Sequence, residues 1–254
     1  MIKSTKNTKT TRKKNKKRST SKVAKVKSKK AFKTYKQAMK YLSSVTDYEK
    51  ESRVRYNVTT FNLDRMKKLL KKLGQPQEKV PMVHIAGTKG KGSTATMLAK
   101  MLEANGYKVG LYTSPHVLHL HERIAVNSEM VSEHEMLDLM NRIHTSIEKI
   151  NKKDSVSFFE IMTALAFMHF ADHQVDIAVI ETGLGGRLDS TNVIKPKVVG
   201  ITSLSIDHHL QLGDSIGSIA KEKAGIFKSG IPALSVNQHP DALKVLKTEA
   251  ASLD

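Results

Sequence analysis

The stretch "HIAGTKGKGSTATML", ending at Leu98, constrains the fold more than any other, because an apolar run enters a turn of three glycines and leaves it as a helical pattern. A glycine-rich loop between a strand and a helix is an anion site: glycines let backbone N–H groups approach phosphate oxygens, and the helix N-terminus adds positive partial charge. Gly87, Gly90 and Gly92 supply the open backbone, and Lys91 is placed to reach a β- or γ-phosphate. The strict spacing GxxxxGK[ST] is broken, however. Ile85 stands where the first glycine belongs, and Gly92 follows the lysine where a Mg²⁺-binding hydroxyl is expected, with Ser93 one place late. Two readings stay open on the loop alone: a tight turn without a ligand, or a nucleotide loop whose metal draws its ligands from other strands.

The rest of the chain repeats the strand-helix alternation. Tyr35, Ala38, Met39 and Leu42 recur at helical spacing from Thr34, and a second amphipathic helix is predicted near 62–73, stopped by Gly74 and Pro76. After the loop come a helix from Ser93 to Asn105, the strand "KVGLYTS", helices near 133–151 and 158–173, and the strands "VDIAVIET" and "KVVGITSLS". A helix at 216–224, the strand "IPALSV" and a last helix running from Asp241 to the end of the sequence complete the order. Such alternation predicts an α/β fold, a mostly parallel sheet with helices on both faces, and 254 residues suit one large domain.

In a parallel sheet the carboxyl ends of the strands share one edge, where ligands bind. Here those ends carry Ser114, Glu181 and the trio Asp207, His208 and His209, alongside the glycine loop. Oxygen and imidazole donors converging on a phosphate loop are what a metal–nucleotide site needs.

The formal charge of +19 suggests a nucleic-acid binder until it is divided along the chain. Residues 1 to 46 hold 17 Lys and Arg and no acidic residue, and the remainder has 26 basic against 24 acidic, or +2. Residues 1–33 are therefore expected to form a disordered basic tail, solvated and without the aromatic interleaving of a stacking surface, so nucleic-acid binding is expected at most through that tail. The absence of Cys excludes disulfides and thiolate metal sites and suits a cytoplasmic protein. No apolar run approaches the roughly 20 residues needed to span a bilayer.

Five ordered motifs, "HIAGTKGKGST", "LYTSPH" with "ERI", "SFFE", "ETGLGGRLDSTN" and "KEKAGIFKSG", resemble the folylpolyglutamate synthase and dihydrofolate synthase family, relatives of the Mur ligases. The resemblance runs from about Thr34 onward and implies a P-loop-like Mur ligase central domain over 34–254. It also implies an ATP-dependent ligase that joins L-glutamate to dihydropteroate or folates, in which a substrate carboxylate is phosphorylated and the acyl phosphate is attacked by the amine. Thr88, Lys89, Gly90, Lys91, Gly92 and Ser93 would then be the ATP loop. Ser114, Glu181 and His208 would be ligands of two Mg²⁺ ions, and Lys223 the family's carbamylated lysine, so that Lys91, His208 and Lys223 carry the chemistry. Ser157, Phe158, Phe159 and Glu160 with Leu188, Asp189 and Ser190 match the segments that hold the pterin. Members have a second, C-terminal domain, and the sequence is expected to stop before it. A monomer is expected.

Two other readings stand beside the ligase: a non-catalytic fragment that binds nucleotide or pterin, and another amide ligase of the Mur type. His116, His119 and His121 lack a fourth donor at zinc spacing. His169 and His173 share a helix face without an HExxH pattern, so the pair reads as structural.

Overall fold

In a computed structural model the described residues are 31–49, 57, 61, 63–150, 155–206 and 214–253. The basic tail up to Lys30 and the segment holding Asp207, His208 and His209 lie outside them. The buried chain reaches back to Phe32, ahead of the boundary expected at Thr34. Its ring packs against Tyr41 and His144, and its backbone N–H donates to Asn141 Oδ1.

Seven strands form one sheet: β1 (Met82–Ala86), β2 (Val109–Tyr112), β3 (Ile124–Val126), β4 (Glu129–Met130), β5 (Ile177–Glu181), β6 (Val198–Ile201) and β7 (Ala233–Ser235). Their order is β4-β3-β2-β5-β1-β6-β7. From β2 to β7 every neighbour is parallel, whereas β3 and β4 add an antiparallel edge that the strand-helix pattern did not predict. Those two strands are only three and two residues long, too short to show alternation. Asn127 and Ser128 both have positive φ (47° and 67°), the two-residue hairpin turn that matches sheet twist.

The helices are α1 (Tyr35–Ser44), α2 (Leu63–Lys72), α3 (Lys91–Ala104), α4 (Glu133–Ile147), α5 (Phe158–Asp172), α6 (Ile216–Ala224) and α7 (Pro240–Ala251). α7 closes at Ala251 with the Ser252 N–H returned to Ala250 and Thr248 carbonyls, short of the sequence end where the last helix was expected to run. On one face of the sheet α3 packs Ala95 and Ala99 onto Val83, Ile85, Val109 and Val179. The opposite face carries α5, with α6 and α7 beside it over β6. All of α5 except Phe159, Ala171 and Asp172 is buried, because α1, α2 and α4 form a further layer outside it. A helix apolar on every side is a helix covered on every side.

β1 lies between β5 and β6, and one polar side chain, His84, is fully buried in it. His84 Nε2 bonds Thr191 Oγ1 at 2.8 Å, and Thr191 in turn bonds the Asp189 carboxylate. Burial, reinforced by the charge of Lys228, lowers the imidazole to about 3. The unfolded chain therefore binds a proton near pH 6.5 that the folded chain refuses until about pH 3. Stability present above pH 6.5 should be lost as pH falls through that window, at about 1.4 kcal/mol per pH unit for this group. Urea unfolding at pH 7, 6 and 5 should show His84→Gln with a slope shallower by about one proton than the parent chain.

Candidate active site

The loop after β1 is fastened to the chain that leaves β6. The N–H groups of Thr88 and Lys89 donate to the Ser203 carbonyl at 2.9 and 3.2 Å. Thr88 Oγ1 donates to the Ser205 carbonyl and accepts the Ser205 N–H, at 3.1 and 3.2 Å. Gly87 is what permits this approach, since a Cβ there would stand 1.8 Å from Thr202 Oγ1. Gly90, with φ of 79°, is the N-cap of α3, so the helix begins at Lys91 rather than at Ser93 as predicted. Lys91, Gly92 and Ser93 thus occupy the first turn, where N–H groups have no partner inside the helix. Lys91 Nζ lies 3.5 Å from the Thr88 carbonyl oxygen, its chain folded back over the loop.

Glu181 closes β5 and is 3% exposed. Its Oε2 accepts the Ser114 N–H at 3.0 Å, and a Cβ on Gly92 would stand 3.2 Å from the same oxygen. Burial raises its carboxyl above the usual range, opposed by the Ser114 and Gly92 N–H groups and by the charge of Lys91. The structure therefore gathers Ser114, Glu181, Lys91 and Gly92 at one strand edge. His208 lies outside the described residues. Lys223 arrives from the opposite side: 4% exposed on α6, it donates from Nζ to the Gly87 carbonyl at 2.6 Å. The bend after β5 holds α6 there, with the Arg187 N–H on the Glu222 carbonyl at 2.8 Å and Asn192 Nδ2 on the Gly225 carbonyl at 2.9 Å.

The predicted pterin segments fall beside this edge. Ser157 caps α5, and the same cap turns Glu160 back onto the Ser157 N–H at 2.8 Å. Both Glu160 oxygens also accept from Arg65 Nε of α2, at 2.8 and 2.9 Å. Phe158 lies under the Arg123 guanidinium at 5.2 Å, and Arg123 pairs with Glu49. Phe159 abuts Gly183, and Asp189 receives the Leu184 and Thr191 N–H groups. Leu188 and Ser190 face Tyr48, Phe61 and Arg65 across a narrow cleft. Glu160 and Asp189 are thus tied into the scaffold of the cleft.

Arg65 is a residue that motif reading missed, whereas Arg123 lies within the quoted "ERI" motif but was given no role there. Arg65 had a signal, lying four residues before Leu69 on the buried stripe of α2, where a charge demands a partner. The three histidines have separate partners: His116 accepts from Arg123, the His119 backbone N–H donates to Glu122 Oε1 at 2.7 Å, and His121 bonds Tyr35.

Residues 85–251 match the family described as the Mur ligase middle domain. The chain belongs to that family. Among relatives of this Mur ligase domain, the dihydrofolate synthase/folylpolyglutamate synthase of Bacillus subtilis (strain 168) is 46% identical over 191 residues, covering 74% of this chain and 44% of that protein. The dihydrofolate synthetase of Saccharomyces cerevisiae is 39% identical over 198 residues, covering 75% and 45%. A solved structure described as an FPGS–AMPPCP–folate complex superposes with a TM-score of 0.79 at 38% identity, over 87% of this chain and 52% of that one. The chain spans about half the length of the relatives it matches. The expected α/β sheet with helices on both faces is the fold those structures share.

Two substitutions test the geometry of this Mur ligase domain. Gly87→Ala forces the loop off β6 and should lower the unfolding free energy by about 1–3 kcal/mol, read as a lower urea midpoint. Arg65→Met leaves Glu160 charged and buried and should cost about 3–5 kcal/mol, whereas Arg65→Met with Glu160→Gln should recover part of the loss.

Proposed function

We propose that this chain is the nucleotide- and pterin-binding portion of an ATP-dependent ligase of folate metabolism, one that adds L-glutamate to dihydropteroate, to folates or to both. The observation that carries the reading is the buried Glu181 carboxylate meeting the first turn of α3, beside Ser114 and within the field of Lys91. The names of its relatives supply the reaction, and the AMPPCP complexes among its structural neighbours supply the nucleotide.

A carboxylate is a poor electrophile for an amine, so the reaction begins by giving it a leaving group. The carboxylate oxygen of the pterin substrate attacks the γ-phosphorus and ADP departs, leaving an acyl phosphate. The glutamate amine attacks the acyl carbon, loses a proton, and inorganic phosphate is expelled as the amide forms. In this reading Thr88, Lys89, Gly90, Lys91, Gly92 and Ser93 form the ATP loop: Thr88 and Lys89 hold it on the chain leaving β6, the first turn of α3 offers its N-terminal N–H groups and positive partial charge to the phosphates, and the Lys91 ammonium balances charge on the transferred group. The donor set fits Mg²⁺, since among the described residues the buried Glu181 carboxylate has the Ser114 and Gly92 N–H groups as partners, with Lys91 and the acidic Asp189 nearby, and so can accept a cation. Ser114, Glu181 and His208 would hold two such ions, which when bound screen the polyphosphate from the incoming anion. Lys223 fits the carbamate role, because a carbamylated nitrogen keeps one N–H for the Gly87 carbonyl. Ser157 to Glu160 and Leu188 to Ser190 would shape the pterin cleft. We place the domain over 34–254, following a basic segment of residues 1–33 whose Phe32 packs back onto the domain core, and expect a cytoplasmic monomer.

Binding of AMPPCP in the presence of Mg²⁺ tests the reading on the chain itself. Lys91→Ala should weaken it, and turnover of dihydropteroate or tetrahydrofolate with glutamate should fall on the order of 100-fold in ADP release. Glu181→Gln should abolish the Mg²⁺ dependence of binding. Titrations indistinguishable from those of the parent protein would remove the assignment.

A further inference from the structure

The histidine pair of α5 that the nucleotide site leaves unused meets a third donor in the fold. The His169 and His173 rings lie with centroids 4.2 Å apart, tilted at 49°, and His173 Nε2 lies 2.9 Å from Glu135 Oε1 of α4. One ligand atom from each of the three residues lies within 4.8 Å of the other two, a convergence found nowhere else among the described residues. Two donors each about 2.0–2.1 Å from one ion stand about 3.3 Å apart at a tetrahedral angle.

We propose that Glu135, His169 and His173 form a site for a divalent transition-metal ion of the Zn²⁺ class, separate from the nucleotide site. Imidazole and carboxylate donors favour Zn²⁺, Co²⁺, Ni²⁺ or Cu²⁺ over Mg²⁺ or Ca²⁺, and three protein ligands leave a fourth position for water. The ion would replace the proton that His173 Nε2 now shares with Glu135.

Three features prepare the donors. Glu135 is held from behind, its Oε2 accepting the Ser132 N–H and hydroxyl at 2.9 and 2.6 Å, which leaves Oε1 turned toward the histidines. Such an outer hydrogen bond fixes a metal ligand's orientation. His169 is 3% exposed, and among the described residues nothing hydrogen-bonds its ring nitrogens. The other charges facing the cluster are already engaged: Asp172 pairs with Arg142, and Lys108 Nζ donates to the His173 carbonyl at 2.6 Å. His169 lies eleven residues along α5 from Phe158, about 16 Å at helical rise, so this cluster stands at the opposite end of the helix from the cleft.

Calorimetry on tag-free, chelator-treated protein with Mg²⁺ in excess should show one equivalent of Zn²⁺ bound, and Co²⁺ should give visible d–d bands that Zn²⁺ abolishes. His173→Gln, at a half-buried position, should abolish the Co²⁺ bands while circular dichroism and Mg²⁺-dependent AMPPCP binding stay unchanged. Ser132→Ala, which loosens Glu135 and removes the N-cap of α4, should weaken Zn²⁺ about 10–100-fold while circular dichroism shows the helix retained. No saturable binding, unaltered binding in His173→Gln, or binding lost instead on replacing His116, His119 and His121 would overturn the site. Because nucleotide binding is read separately, failure here is distinguishable from failure of the ligase reading.

Discussion

Everything at the edge where β1, β5 and β6 end depends on how closely the turn after β1 lies against the chain leaving β6. Gly87 allows Thr202 within a distance that no side chain would tolerate, and that proximity lets Thr88 exchange hydrogen bonds with Ser203 and Ser205. With the turn fixed, Gly90 reverses the backbone and α3 starts at Lys91. The helix packs its alanine face against β1, β2 and β5, so one element both fills the core and aims its N-terminus at the site.

Electrostatics follow from that placement. Glu181 is buried, and its partners are two backbone N–H groups and a lysine across the turn. On the other side Lys223 reaches the Gly87 carbonyl, tethered by the bend that joins Arg187 to Glu222. A carboxylate at the start of α3 and an ammonium on Gly87 thus flank the four-residue turn from different layers of the fold. The polar chain from His84 through Thr191 to Asp189 braces the bend from below, using groups whose charge burial suppresses.

What could be read from residues alone was what is local. The strands of the parallel sheet, the helix of residues 216–224 and the loop itself are written in apolar runs and glycines that act over a few positions. The helix start at Lys91 was misplaced because it turns on one backbone angle at Gly90. The β3–β4 hairpin escaped because five residues carry no period, although Asn127-Ser128 marked its turn. Partnerships between side chains of different helices were not legible. Arg65 meets Glu160 ninety-five positions away, and Glu135 reaches a histidine pair that looked structural when only α5 was in view. Strand ends predicted Ser114 beside Glu181, because a parallel sheet puts such residues on one edge whatever the intervening chain does.

The bonds from Thr88 and Lys89 to β6 are made within the protein, so the turn is already rigid before anything occupies it. Ordering a residue costs about 1–2 kcal/mol in conformational freedom, and here that loss falls on folding instead of association. An anion arriving at α3 would meet a finished mould. Its affinity would then report charge and donor placement almost undiluted by loop closure, and its arrival would leave amide exchange in Thr88 and Lys89 nearly unchanged.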